Sequence, residues 1–202
     1  MTTYDVVVAG LGGFGSATAA HLASRGLRVL GLDRHAPGHV EGSSHGDSRI
    51  VRQAYFEGAA YGPLLRRAYE LWDRLGRDAG EPLLVRCGVL FVGDPAGPVL
   101  TGSLDAVRRW DVPHELLGAE DVTRRFPVLG AVDGTVALFE PDAGLVSPER
   151  TVAAHLTLAG RAGADLRHRE QVTTWEATGA GVRVVTGRDT YRAGALVLAP
   201  GR

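Results

Sequence analysis

The sequence predicts an α/β fold with a parallel sheet, and three observations near its start support that prediction. A short apolar run, residues 4–9, is followed at once by Gly-Leu-Gly-Gly-Phe-Gly at residues 10–15. The small residues that come next favour a helix over 13–25. A second apolar run, residues 29–33, ends on Asp33. Strand, glycine turn, helix, strand and acid in this order are the fingerprint of a Rossmann-like dinucleotide-binding unit.

Each residue of this fingerprint has a physical role. Gly10 permits the tight turn out of the strand, Gly12 lets the backbone approach a diphosphate, and Gly15 permits close packing of the helix on the strand. The diphosphate would then lie against the N–H groups at the helix N-terminus. Asp33 follows the glycines by about 20 residues, where a carboxylate accepts hydrogen bonds from ribose hydroxyls and disfavours a 2′-phosphate.

The composition narrows the class of protein. Hydrophobic residues make up 45% of the 202 residues, which is enough for a packed core. The net charge of −1 lacks the positive excess that is typical of nucleic-acid-binding proteins. The single cysteine, Cys87, excludes a disulfide framework, and we expect it to be a small core residue. The histidines show no metal-ligand spacing apart from His35 and His39, which we expect in a loop, so no metal site is predicted. With no membrane-length apolar run and no room for a signal peptide, we expect a cytoplasmic protein.

Periodicity along the chain predicts three blocks. Residues 1–84 include a helix with apolar residues at 3.6-residue spacing from Tyr61 to Leu75. The next block holds strands at 85–92 and 136–140 and helices at 104–110 and 119–126. The last block holds a helix from Pro148 to about Ala162, a hairpin of 171–177 with 182–186, and a buried strand at 195–199. We therefore expect an interleaved order, with a dinucleotide-binding domain from 1–84 and 148–202 and an incomplete α+β substrate domain from 85–147.

Residues 42–52, Gly-Ser-Ser-His-Gly-Asp-Ser-Arg-Ile-Val-Arg, are a second informative stretch. Ser44 and the acid three residues later have capping-box spacing, which predicts a helix that starts at Ser44. On such a helix His45, Arg49 and Arg52 share one face. Two guanidinium groups on one face suit the binding of an anion or a carboxylate, and the alternative is a surface helix with solvated arginines.

These residues also carry a resemblance. The run GSSHGDSRIVRQAYFEG, with LLRRAYELWDRL after it, resembles the monomeric sarcosine oxidase and N-methyl-L-tryptophan oxidase family, FAD-dependent amine oxidases of the D-amino-acid oxidase class. The likeness continues through residues 87–93, 139–144 and 196–201. It spans nearly all of this chain but only the first half of a typical family member.

The resemblance implies a bound FAD and assigns residues to it. The residues expected to contact the cofactor are Gly10, Gly12, Gly13, Phe14, Gly15, Asp33, Arg34, Gly42, Ser43, Ser44, His45, Arg49, Val172 and Gly201. His45 and Arg49 match residues beside the flavin ring, and this gives them a catalytic role. Arg52 matches the arginine that binds the substrate carboxylate, and Val172 matches a position whose backbone meets the adenine.

The implied activity is oxidation of the C–N bond of a secondary amino acid, of the sarcosine or N-methyltryptophan type. Oxygen is the acceptor, and the products are an imine and hydrogen peroxide. The family's flavin-bearing cysteine and its lysine for oxygen activation have no counterpart here, so we expect this N-terminal fragment to be inactive alone. It would be a truncated gene product or one part of a split oxidase with a separately encoded C-terminal half. An NAD-dependent dehydrogenase and a non-catalytic dinucleotide-binding module remain as alternatives.

Overall fold

The computed structural model describes residues 3–130 and 134–201. The described helices are α1 (Gly13–Ala23), α2 (Gly62–Ala79), α3 (Pro98–Arg109), α4 (Ala119–Arg125) and α5 (Pro148–Arg161), with a 3₁₀ turn at Ala59–Tyr61. The first strands are β1 (Thr3–Ala9), β2 (Val29–Asp33), β3 (Arg49–Val51), β4 (Leu84–Arg86), β5 (Val89–Gly93) and β6 (Glu115–Gly118). The remaining strands are β7 (Val136–Glu140), β8 (Gly144–Val146), β9 (Asp165–His168), β10 (Val172–Thr178), β11 (Gly181–Thr186) and β12 (Thr190–Leu198).

The chain forms two compact units. The first comprises the residues up to Ser48, Asp78–Glu81 and the residues from Ser147 onward, and the second comprises Arg49–Arg77 and Pro82–Val146. The mixed α/β class with a parallel sheet core is confirmed, since the chain combines helices with parallel strands β12, β1, β2 and β9. Residues 49–77 and 82–84, expected in the dinucleotide-binding domain, belong to the second unit, and Ser147 belongs to the first. Residues 49–51 join the second unit by pairing with β8, and α2 joins it by packing on Leu84 and Val146.

The first unit is built on a six-stranded sheet in the order β10-β11-β12-β1-β2-β9. Strands β12, β1, β2 and β9 run parallel, while β10 and β11 form the antiparallel hairpin that the sequence predicts. Because side chains alternate along β1, Val6 and Val8 join one core cluster and Val7 joins another. The cluster around Val8 includes Ala19 and Ala20 of α1 and Ala159 of α5, whose small side chains allow close packing.

The second unit contains two antiparallel sheets of three strands each, in the orders β3-β8-β4 and β5-β7-β6. Helix α2 packs on the first of these, where Tyr69 meets Leu84 and Val146. Helix α3 packs with the second sheet, where Leu100 and Val107 form a cluster that includes Leu138 of β7, Ala54 and Val112. Among the described residues, no helix has the length and apolar character needed to cross a membrane.

The predictions for residues 85–92, Cys87 and residues 195–199 are wrong. The single strand expected at 85–92 is two strands, because Gly88 turns the backbone with a φ of +77° and the two halves pair in different sheets. Cys87 precedes this turn and is exposed, so it is not a core residue. Residues 195–198 at the end of β12 are half-buried or exposed rather than buried, since β11 pairs with β12 only as far as Ala193.

His155 on α5 is half-buried, and its Nδ1 atom lies in an unusual, fully buried environment. Its ring centroid lies 6.2 Å from that of His21 on α1, and its Nδ1 has no hydrogen-bond partner among the described residues. Burial first, and then the charge of His21, lower the pKa of His155 from 6.5 to about 4. The unfolded chain therefore takes up this proton at a higher pH than the folded chain, which favours unfolding in acid.

We expect the free energy of unfolding to fall as the pH drops from 6.5 towards 4, the window between the two pKa values of His155. His155→Leu should flatten the pH dependence of the melting temperature across this window. His21→Gln is the matched control, and it should leave most of the fall in place because burial is the larger cause. An unchanged slope in His155→Leu would contradict this assignment.

Candidate cofactor and substrate sites

The glycine turn between β1 and α1 has no room for side chains. Gly10 has a φ of +94°, and a Cβ there would lie 2.3 Å from the Ala199 carbonyl oxygen. A Cβ on Gly15 would lie 1.7 Å from the Gly10 carbonyl oxygen. Both contacts are with rigid backbone, so only glycine fits at these two positions. The turn is therefore a cradle of bare backbone that another molecule can approach closely.

The N-terminus of α1 opens onto this turn. Gly12 is the N-cap and supplies no side-chain hydrogen bond, and the first turn of the helix contains no acidic residue. The first N–H groups of a helix have no acceptor within the helix, and the helix dipole makes this end positive. Gly13 N–H donates to Ser44 Oγ at 2.9 Å, and Phe14 beside it is 88% exposed. This end of α1 can therefore bind a diphosphate.

Asp33 at the end of β2 is 7% exposed and holds two loops by their backbones. Its Oδ2 accepts from Leu11 N–H at 2.8 Å, and its Oδ1 accepts from His35 N–H at 2.8 Å. His39 Nε2 lies 3.7 Å from the same Oδ1. An ionised carboxylate has about four acceptor positions, so these bonds leave capacity for ribose hydroxyls. The sequence predicts a ribose-binding role for Asp33 but not this second role, in which its carboxylate holds the backbone of the glycine turn at Leu11.

The structure brings two further predicted positions close to this turn. Glu170 N–H donates to the Asp33 carbonyl at 2.8 Å, which places the start of β10, and so Val172, near the end of β2. Ala199 N–H donates to the Ala9 carbonyl at 2.8 Å, so the exposed Gly201 follows a segment in contact with the cradle. Arg34, the residue after Asp33, is exposed, and its Nε–H donates to His35 Nε2 at 2.7 Å.

A buried polar cluster supports the segment before Val172. Glu170 is 3% exposed, and its Oε1 accepts from Tyr191 Oη at 2.5 Å and from Thr186 Oγ1 at 2.8 Å. Burial, followed by this hydrogen bond to Glu170, raises the pKa of Tyr191 to about 12, so the phenol stays protonated and donates. Sequence patterns contain no signal for this support, because Glu170 lies between β9 and β10 while Thr186 and Tyr191 lie on β11 and β12.

Residues 42–48 form a loop, so the predicted helix at Ser44 is wrong. Gly46 and Asp47 have positive φ values of 101° and 63°, which no helix accommodates. The cause is Glu149 in the first turn of α5, whose Oε1 accepts from Gly46 N–H at 2.7 Å and Asp47 N–H at 3.3 Å. Its own backbone N–H and these two donors lower the pKa of Glu149. With Ser44 bonded to Gly13, the loop is held at two points.

The other residues that the sequence assigns to the cofactor or the substrate in this stretch are divided between the two units. Gly42 and His45 are half-buried and Ser43 is exposed, all within the first unit. Arg49 and Arg52 belong to the second unit, and Arg49 is the exposed first residue of β3. The expected shared helical face of His45, Arg49 and Arg52 is therefore absent, because Arg49–Val51 is extended and pairs with β8.

Arg52 follows β3 and lines a cavity of about 490 Å³ within the second unit. Its Nη1 donates to the Ala54 carbonyl at 2.7 Å and its Nη2 to Glu57 Oε1 at 2.7 Å. The guanidinium carbon lies 4.4 Å from the ring centroid of Tyr55, with Phe91 at 5.6 Å. The other residues that line the cavity are Ile50, Val51, Leu65, Ala68, Trp72 and Val89. An arginine at the edge of an apolar cavity suits a small carboxylate with an apolar body.

Comparison with known proteins identifies the class. Residues 5–201 match the family described as DAO, FAD dependent oxidoreductase, and the chain belongs to that family. Its members are FAD-dependent, which agrees with a cradle shaped for a dinucleotide.

Comparison with individual proteins gives a narrower likeness than the family does. Over 199 residues the chain is 53% identical to monomeric sarcosine oxidase of Streptomyces avermitilis, covering 98% of this chain and 52% of the relative. It is 37% identical over 198 residues to N-methyl-L-tryptophan oxidase of Yersinia pestis, covering 98% of this chain and 53% of that protein. The open form of NikD, an unusual amino acid oxidase essential for nikkomycin biosynthesis, superposes with a TM-score of 0.89 at 36% identity, over 100% of this chain and 52% of NikD. The chain thus spans about half the length of these relatives.

The cradle can be tested by adding one methyl group. Gly15→Ala should lower the free energy of unfolding by about 1–3 kcal/mol, because the Cβ collides with the Gly10 carbonyl. Gly160→Ala in α5 is the matched control, since no described atom outside its own stretch of helix lies within 4 Å of an added Cβ. That variant should gain roughly 0.5–1 kcal/mol of stability from its lower chain entropy. Urea unfolding measures both, and equal stability of the two variants would contradict the proposed close approach.

Proposed function

We propose that this chain binds FAD through its first unit and contributes the substrate-carboxylate arginine of an amine oxidase through its second. The observation that carries the proposal is the glycine cradle at the N-terminus of α1, closed by the backbone contact between Gly10 and Gly15. A diphosphate suits this place because the first N–H groups of α1 have no acceptor within the helix and its first turn contains no acidic residue. Arg52 beside an apolar cavity supports the second half of the proposal.

Each part of FAD would meet a different group of residues. The diphosphate would lie at Gly10, Gly12, Gly13 and Gly15, where the first N–H groups of α1 neutralise negative charge. The Ser44 hydroxyl accepts from Gly13 and can also donate its own proton to a phosphate oxygen. Asp33 would accept the adenosine ribose hydroxyls, with Arg34, Val172 and Gly201 around the same half of the cofactor. Residues 42–45 and Arg49 would approach the flavin half.

The reaction proposed is oxidation of a secondary amino acid at its C–N bond. FAD, when bound, supplies the electron acceptor for this step. The substrate loses a hydride equivalent from carbon and a proton from nitrogen, giving an imine, and oxygen receives two electrons and two protons to become hydrogen peroxide. Arg52 would bind the substrate carboxylate through two N–H groups, in exchange for its present bond to Glu57. His45 and Arg49 would place positive charge or hydrogen-bond donors beside the flavin ring.

We further propose that turnover needs the polypeptide that corresponds to the second half of the relatives. The support is the length difference, since the chain covers 52% of the Streptomyces avermitilis protein. The partners would be a small amino acid, oxygen and the polypeptide that corresponds to this second half, in the cytoplasm. Exclusion of water and convergence of several groups on the substrate both require a closed cleft.

Cofactor choice tests the first part of the proposal. The chain should bind FAD and ADP more tightly than NADP, and Asp33→Asn should weaken FAD and ADP about tenfold or more, through loss of a charged acceptor. Asp5→Asn is the matched control, because Asp5 instead accepts from Arg28 in an exposed ion pair. Calorimetric titration with FAD, ADP, NADP and NAD measures the affinities. Preference for NADP, or for NAD over FAD, would favour a dehydrogenase and contradict the proposal.

The arginines test the second part. Peroxide formation from sarcosine and N-methyl-L-tryptophan should be absent with the chain alone and present when the C-terminal half of the Streptomyces avermitilis relative is coexpressed. In that complex Arg52→Ala should mainly raise KM, while Arg49→Ala should mainly lower kcat. Arg67→Ala, an exposed arginine paired with Glu70, is the control. Kinetics within about twofold of wild type for Arg49→Ala and Arg52→Ala, or turnover by the chain alone, would contradict these assignments.

A further inference from the structure

Glu140 at the end of β7 is a carboxylate with no exposed surface. Gln53 N–H donates to its two oxygens at 2.8 and 3.1 Å, and Ala54 N–H donates to Oε2 at 2.8 Å. A buried carboxylate is costly unless it is well hydrogen-bonded, and here both oxygens are bonded to main chain. Glu140 therefore fixes the backbone of the two residues that immediately follow Arg52.

The same backbone holds the Arg52 side chain. The Ala54 carbonyl oxygen accepts from Arg52 Nη1 at 2.7 Å and from the buried Ser103 Oγ at 3.3 Å. Ala54 itself is fully buried, so its peptide groups have little freedom to turn. A continuous path of hydrogen bonds thus runs from Glu140 through Ala54 to the guanidinium that lines the cavity.

We propose that Glu140 is a positioning residue for substrate binding: by holding residues 53 and 54 it keeps the Arg52 guanidinium at the edge of the cavity. This inference rests on the proposed role of Arg52 as the carboxylate-binding residue. A carboxylate suits the task because both of its oxygens accept, whereas a glutamine would turn one N–H₂ group towards the backbone donors. Burial raises the pKa of Glu140, while the N–H groups of Ala54 and Gln53 and the charge of Arg52 oppose that rise.

The test uses the full 202-residue chain with a charged ligand and an uncharged analogue of it. N-methyl-L-tryptophan and its methyl ester share the same body, and their affinity ratio measures recognition of the carboxylate alone. Ligand affinities and hydrogen exchange of the Arg52 Nε–H group are both followed by NMR. The variants are Glu140→Gln, Glu140→Asp and Arg52→Ala. Glu115→Gln is the matched control. Glu115 lies on β6, in the same sheet as β7, and is ion-paired to Arg125.

Arg52→Ala should abolish the preference for the carboxylate, and Glu140→Gln should reduce it about tenfold with unchanged affinity for the ester. Exchange at Arg52 should accelerate to a similar degree in Glu140→Gln and less in Glu140→Asp, and Glu115→Gln should change neither. If Glu140→Gln does not fold, the same measurements on Glu140→Asp decide, and wild-type values there would overturn the proposal.

The two levels of inference fail in different ways. Unchanged Arg52 exchange in the Glu140 variants, or an unchanged carboxylate preference while Arg52→Ala removes it, overturns the positioning role and leaves the proposed function standing. If Arg52→Ala keeps the carboxylate preference, the proposed function of Arg52 fails, and the role of Glu140 in substrate binding fails with it.

Discussion

The close approach of the Gly15 backbone to the Gly10 carbonyl oxygen, which leaves no room for a Cβ, sets the geometry on which the first unit depends. Because no Cβ separates them, α1 can begin four residues after the end of β1, and its N-terminal N–H groups open onto the turn. The same turn leaves Gly10 against Ala199, so the segment after β12 is drawn to the cradle as well. Strand, turn, helix and the end of β12 are thus arranged by one steric constraint.

The loops around the candidate sites are held by a common device, a carboxylate that accepts from two successive or nearby backbone N–H groups. Asp33 holds Leu11 and His35, Glu149 holds Gly46 and Asp47, and Glu140 holds Gln53 and Ala54. Ordering a loop residue costs about 1–2 kcal/mol, and each hydrogen bond to a charged group contributes roughly 1.5–3 kcal/mol. Such bonds let irregular segments keep one conformation, which sites built on loops require.

The sequence predicts the dinucleotide-binding elements well because their signals are local. The glycines, the small residues of α1 and the acid at the end of β2 lie within one short stretch. The segment after Ser44 is different, because its capping-box spacing favours a helix while the folded chain pairs Arg49 with Val146, far along the sequence. The sequence likewise does not predict the roles of Glu140, Glu149 and Glu170, because their partners are backbone groups or side chains on distant elements.

Amide NMR mapping of FAD binding tests the central claim most directly. The claim is that the N-terminus of α1 and the residues around it form the cofactor site. Addition of FAD to the ¹⁵N-labelled chain should shift the amide signals of Gly12, Gly13 and Phe14 most strongly, with further shifts at Asp33, Ser44 and Val172. Saturable FAD binding that leaves the signals of residues 10–15 unchanged would contradict the account.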